Sequence, residues 1–101
     1  MTYKLKYLQS AKRDWDKLDN SIKSQFKSKL GKWLENPHIP ANKLRDFDCA
    51  YKIKLRSAGY RLVYEVDDQE IIVFVIAVDK RENNNVYNKA RKRKKAWHYA
   101  Q

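Results

Sequence analysis

The sequence predicts an α+β domain: an N-terminal strand and a helical hairpin packed on a mainly antiparallel sheet of about four strands, closed by a C-terminal helix. Three observations predict it. From Tyr51 to Val66 apolar and polar residues largely alternate, as on a strand with one covered face. Between Ala11 and Leu34 apolar residues recur at helical spacing, with one break at Asp19-Asn20-Ser21. Residues 71–78, IIVFVIAV, are apolar in both phases, as in a central strand covered on both faces.

The elements follow in order. Tyr3, Leu5 and Tyr7 alternate with Lys4 and Lys6, which predicts a first strand over 2–8. Ser10 is the expected N-cap of a helix carrying Ala11, Trp15 and Leu18. Asp19-Asn20-Ser21 ends that helix and caps the next, whose stripe is Ile22, Phe26, Leu30, Trp33 and Leu34. Asn36-Pro37 stops it, because the residue before proline disfavours the helical region. A short connection containing Pro40 leads to three strands at about 49–56, 60–67 and 70–78. Ser57-Ala58-Gly59 and Asp67-Asp68-Gln69 supply the turns between them. A last helix is expected from about Asn84 into a basic tail that begins near 89 with KARKRKK.

A chain of 101 residues fits one domain, 1–101, and 43% hydrophobic residues suffice for a modest core. The formal net charge of +11 favours a polyanionic partner and says little about fold. No apolar run approaches the roughly 18–20 residues of a membrane helix, and the N-terminus lacks a signal-peptide core, so no membrane association is expected. Cys49 is the one cysteine, which leaves no internal disulfide and suits a reducing cytoplasm. No zinc spacing, phosphate-binding loop or dinucleotide motif occurs, so no cofactor or metal is expected.

The chemistry concentrates between Lys52 and Tyr87. With Tyr51, Ile53 and Leu55 facing a core, Lys52 and Lys54 point the other way. A four-residue hairpin connection pairs Leu55 with Tyr60 and Lys54 with Arg61; a slightly different loop shifts the opposite partner but still gathers Lys52, Lys54 and Arg61 on one face. Like charges directly across a sheet are unfavourable, so the cluster suggests an anionic ligand, against the alternative of a solvated lysine face.

The same residues carry a family resemblance. YKIKLRSAGYRLVYEV, then VFVI, then KRE with a tyrosine five residues after its glutamate, together with the upstream LENP and ANKLR, resemble the RelE toxins of bacterial toxin–antitoxin pairs. The likeness covers roughly residues 2–90 in unbroken order. It implies a ribosome-dependent endoribonuclease that cuts messenger RNA in the decoding (A) site. There, a ribose 2′-hydroxyl attacks the adjacent phosphate and leaves a 2′,3′-cyclic phosphate and a 5′-hydroxyl, without a metal. It carries site roles onto Lys52, Lys54, Arg61, Arg81 and Tyr87. It also implies an acidic RelB-like antitoxin, with operator DNA bound only through that partner.

These residues suit that reaction. Neighbouring cations lower a lysine's pKa, which makes Lys54 the candidate base. Arg61 and Arg81 would hold the phosphate, and Tyr87 could stack on a splayed base or assist proton transfer. A cation-only site should be weak by itself, which fits reliance on the ribosome to orient the RNA. Lys12, Arg13, Lys17, Lys23 and Lys27 on the helical hairpin, with Arg45, are candidates for ribosomal RNA contacts. The last helix bears Tyr87 and runs into the basic tail, so an acidic antitoxin is expected to act there. His38 and His98, with no carboxylate nearby in sequence, are not expected to be catalytic, and Trp15, Phe26 and Trp33 are expected in the core. The alternatives are a ParE-like toxin of the same fold, acting on DNA gyrase, and a non-catalytic basic nucleic-acid-binding domain.

Overall fold

A computed structural model describes residues 2–44, 47, 49–80 and 85–100, with side chains except at 85 and 94–100. The elements run β1 (Lys4–Tyr7), α1 (Gln9–Asp16), α2 (Asn20–Trp33), a 3₁₀ turn (Pro40–Asn42), β2 (Ala50–Leu55), β3 (Tyr60–Asp67), β4 (Ile72–Lys80) and α3 (Asn85–Ala100). The four strands form one sheet in the order β1-β4-β3-β2, with β1 parallel to β4 and the other pairs antiparallel. This is the expected α+β arrangement. The last helix runs on through the basic segment from 89, as α3 (Asn85–Ala100).

The two helices of the hairpin cover one face of the sheet. Ala11 and Trp15 of α1 and Ile22, Phe26 and Leu30 of α2 meet Tyr51, Ile53, Leu55, Leu62, Tyr64, Val73, Val75 and Val78. Trp33 packs half-buried against the same core. Extended Leu8 precedes α1, so Ser10 lies inside the helix, and no side-chain cap bond forms there. Asp19 caps α2 by backbone position alone. The chain then crosses beneath the sheet, where the buried Tyr64 hydroxyl donates to the Pro37 carbonyl at 2.8 Å.

On the other face, α3 lays Val86 and Ala90 on Ala50, Val63, Ile76 and Ala77. Pairing shifts between Val63 and Tyr64: Val63 opposes Ala77 while Tyr64 opposes Val75, so Ile76 is an extra residue on β4. The bulge reverses the phase of β4 beyond it. Val75 and Val78 face the hairpin core, whereas Ile76 and Ala77 lie under α3. The β3–β4 turn closes through Asp67, which accepts the Gln69 and Glu70 N–H groups, and holds Ile71 at φ 57°. No helix among the described residues is long and apolar enough to cross a membrane.

Candidate active site

The β2–β3 hairpin is built as its spacing predicts. Gly59, at φ 71°, supplies the left-handed residue of the turn, and its N–H donates to the Leu55 carbonyl at 2.8 Å. Leu55 opposes Tyr60 and Lys54 opposes Arg61. Lys52, Lys54 and Arg61 therefore project from the face opposite the hairpin core, all half-buried. That face is not an open cationic sheet. Lys52 is paired with Val63, which is buried beneath α3, so the cations form a rim beside the helix.

Tyr87, in the first turns of α3, completes the described part of the cluster. Arg61 Nη1 donates to the Tyr87 hydroxyl at 2.9 Å, and its guanidinium carbon lies 5.7 Å from the ring centroid. The guanidinium thus meets the oxygen end of the ring. Because the hydroxyl accepts this bond, its own proton remains available to a ligand. The Lys54 ammonium is held below the ordinary lysine range, first by the charge of Lys52, then by desolvation, Arg61, Arg56 and a hydrogen bond with Lys52. At the free edge of β2 Lys29 of α2 donates to the Lys54 carbonyl at 3.0 Å, which fixes the strand end that carries Lys54. Arg81 follows directly on Lys80, the last residue of β4, and lies outside the described residues, as does Arg45.

The remaining expected RNA contacts lie on the hairpin. Arg13, Lys17 and Lys27 are exposed and Lys23 is half-buried. Lys12 is exposed but engaged, 2.7 Å from Asp16 and over the Tyr7 ring. His38 is not without a carboxylate. The fold brings Asp68 to 2.8 Å from its Nε2 and the Tyr51 hydroxyl to 3.0 Å from Nδ1, and Asp68 also accepts from Tyr3 at 2.7 Å. With Nε2–H donating to the carboxylate, Nδ1 accepts from Tyr51. Burial raises the Tyr51 phenol, so it is no activated nucleophile, and the cluster lies on the hairpin side of the sheet, away from Lys54. It ties the strand entry, the connection and the β3–β4 turn together. His98 lies in α3 with its side chain outside those described, and Cys49 is a half-buried free thiol.

Sequence reasoning misses a second set of charges. Asp79 opposes Arg61 across β3 and β4, and Lys89 of α3 bonds to it at 2.8 Å. Arg93, one turn on, donates to Asp14 of α1 at 2.7 Å and to the Ile76 carbonyl at 3.0 Å. The β4 bulge hides this: strict alternation puts Asp79 in the phase of Val73 and Val75, on the other face. Among the described residues no group of three or more histidine, cysteine or acidic side chains is arranged to hold a metal.

The family model for the ParE toxin of type II toxin–antitoxin systems matches residues 5–85. The mRNA interferase toxin RelE of Escherichia coli K12 is 52% identical over 93 residues, 92% of this chain and 98% of that protein. A mutant E. coli RelE toxin in the free state superposes with a TM-score of 0.86 at 50% identity, covering 92% of this chain and 98% of that one. RelE from the intact E. coli RelBE toxin–antitoxin complex gives 0.77 at 51% identity, over 80% of this chain and 99% of that one. With this degree of identity along nearly its whole length, on the same fold, the chain belongs to the RelE/ParE superfamily of type II toxins, in its RelE group.

Proposed function

We propose that the chain is a ribosome-dependent endoribonuclease, the toxin of a toxin–antitoxin pair, acting on messenger RNA in the cytoplasm. The observation that carries the reading is the pairing of Lys54 with Arg61 across β2 and β3, with Lys52 beside them and Tyr87 bonded to Arg61. Lys54, its pKa lowered chiefly by Lys52, takes the proton from the ribose 2′-hydroxyl. The 2′-oxygen bonds to phosphorus, the bond to the 5′-oxygen breaks, and that oxygen leaves as a hydroxyl with a proton from solvent. Arg61, and Arg81 beyond the end of β4, spread the charge of the pentacoordinate phosphate. Tyr87 holds Arg61 in place and offers its ring to an unstacked base.

Neighbouring cations, Lys52 first, lower the pKa of Lys54, and no carboxylate partner is described for it in the cluster. Orientation of the RNA must supply much of the remaining barrier reduction, which is why the ribosome is required. The exposed cations Arg13, Lys17 and Lys27 meet ribosomal RNA phosphates, and the +11 chain binds an acidic antitoxin, in a toxin–antitoxin complex like the E. coli RelBE one. Primer extension on messenger RNA from translating extracts tests the reading. Cuts at ribosome-occupied codons are expected, and free RNA should stay intact. Equal cutting of free RNA, or inhibition of DNA supercoiling with no cuts, would replace it with a free nuclease or a ParE-type activity.

A further inference from the structure

The proposed reaction needs Tyr87 at Arg61, yet Tyr87 belongs to a different element from the other described site residues. Its placement depends on how α3 is held. Among the described side chains the apolar seat of α3 is small, Val86 and Ala90 with half-buried Tyr87. Ion pairs and hydrogen bonds of the described side chains add to that hold. Lys89, two residues after Tyr87, bonds to Asp79 at 2.8 Å and approaches Asp14 at 4.0 Å. Arg93 bonds to Asp14 at 2.7 Å and to the Ile76 carbonyl at 3.0 Å. Ile76 is the extra residue of the β4 bulge, so the helix grips the irregularity that brings Asp79 to this face. Asp14 and Arg93 are 15% and 20% exposed, and Asp79 and Lys89 29% and 39%. These pairs are thus more sheltered than ordinary surface ones.

Asp79 also stands directly across the sheet from Arg61. One carboxylate therefore sits beside the strand position of Arg61 while bonding the helix that carries Tyr87. We propose that Asp79, assisted by Asp14, is a positioning residue: through Lys89 it latches α3 so that Tyr87 is set on Arg61. The inference rests on the nuclease reading for its catalytic consequence, but the latch itself is a property of the free protein. It touches neither RNA nor the reacting atoms.

The test compares Asp79→Asn, Asp79→Lys, Lys89→Asp and the double charge swap Asp79→Lys with Lys89→Asp. Circular dichroism first establishes that each is folded. Rings of tyrosine labelled with carbon-13 report Tyr87 by NMR without substrate, and single-turnover cleavage in programmed ribosomes reports catalysis. For Asp79→Asn we expect the Tyr87 resonances to shift or broaden and kcat to fall roughly two- to fivefold with KM little changed, the scale of one partly exposed pair. Each single reversal should lose more, and the swap should restore both readings. A merely structural role would not be rescued by exchanging the charges. Unmoved Tyr87 signals in Asp79→Asn, a swap no better than its singles, or displaced Tyr87 with undiminished kcat would each overturn the proposal. A wild-type protein inactive on ribosomes would defeat the nuclease reading, and the Tyr87 signals would then decide the latch alone.

Discussion

Tyr87→Phe isolates one atom of the site. The substitution keeps the ring and removes only the oxygen that accepts from Arg61 Nη1 at 2.9 Å. Val86 and Ala90, which carry the buried face of α3, are untouched, so the helix should stay docked. A hydrogen bond to a charged group is worth roughly 1.5–3 kcal/mol and a neutral one roughly 0.5–1.5. Arg61 and Tyr87 are only half-buried, which places this bond at about 1–2 kcal/mol. At 1.36 kcal/mol per factor of ten, the loss in single-turnover rate should be roughly 5- to 30-fold. The assay is single-turnover cleavage of messenger RNA in programmed ribosomes, read by primer extension across pH. If Tyr87 positions Arg61, the deficit should be the same at every pH. Tyr87→Ala should lose more, because stacking on a base adds roughly 1–3 kcal/mol. A change under about twofold would refute the role of the bond. A loss of about 10²-fold or more would instead mark Tyr87 as the proton donor, since general acid catalysis contributes about 10²–10⁴-fold.

Four further outcomes are expected. Lys54→Ala should lose cleavage with a deficit that shrinks at high pH, where hydroxide substitutes for the base. Lys52→Gln should move the rising limb of the pH–rate profile to higher pH, because the largest influence lowering Lys54 is removed; an unmoved limb argues against Lys54 as the base. Tyr64→Phe leaves the buried Pro37 carbonyl without its donor, at about 1–3 kcal/mol, and should lower Tm by about 4–8 °C for each kcal/mol while leaving the ribosomal cleavage rate at low temperature intact. Asp68→Asn should weaken the fold without touching catalysis. Bonds from Tyr3 and then His38 hold the Asp68 carboxyl below its usual value, so its contribution is present above about pH 4 and disappears as pH falls through the lowered value; thermal melts of both proteins should converge in acid.

The parts of the fold that local chemistry decides were legible in the chain. Ser57-Ala58-Gly59 marks the hairpin turn, and period 2 puts Lys52, Lys54 and Arg61 on one face whichever short loop forms; the four-residue connection that pairs Leu55 with Tyr60 and Lys54 with Arg61 is the one the structure has. The hairpin stripe of Ile22, Phe26 and Leu30 reads directly as core. What alternation cannot reveal is a bulge inside an all-apolar run. IIVFVIAV offers no polar residue to mark the phase, so the extra Ile76 and the transfer of Asp79 to the other face leave no trace in the pattern. Pairings at long separation are hidden for a different reason. Asp68 comes to His38 across 30 residues and Arg93 to Asp14 across 79, because tertiary folding rather than spacing unites them.

The division of the site between two elements has a consequence for control. Lys52, Lys54 and Arg61 stand on a hairpin held by ladder bonds, a glycine turn and Lys29 at the strand edge, so their mutual placement comes from the sheet itself. Tyr87 is different, since among the described side chains α3 meets the body through one apolar cluster, seated by Val86, Ala90 and Tyr87, with ion pairs and hydrogen bonds beside it. Such an element can leave while the core persists, as the less stable parts of a fold do. An acidic antitoxin that competes for Lys89 and Arg93 need not reach the phosphate site to silence it. It need only bind the protein better with α3 undocked than docked, and its affinity is diminished by whatever free energy holds the helix down. The carboxylates that hold Tyr87 at Arg61 would then set both the rate of the reaction and the resistance to its inhibitor. A change that loosens α3 should move the two in opposite directions: slower cleavage and tighter antitoxin.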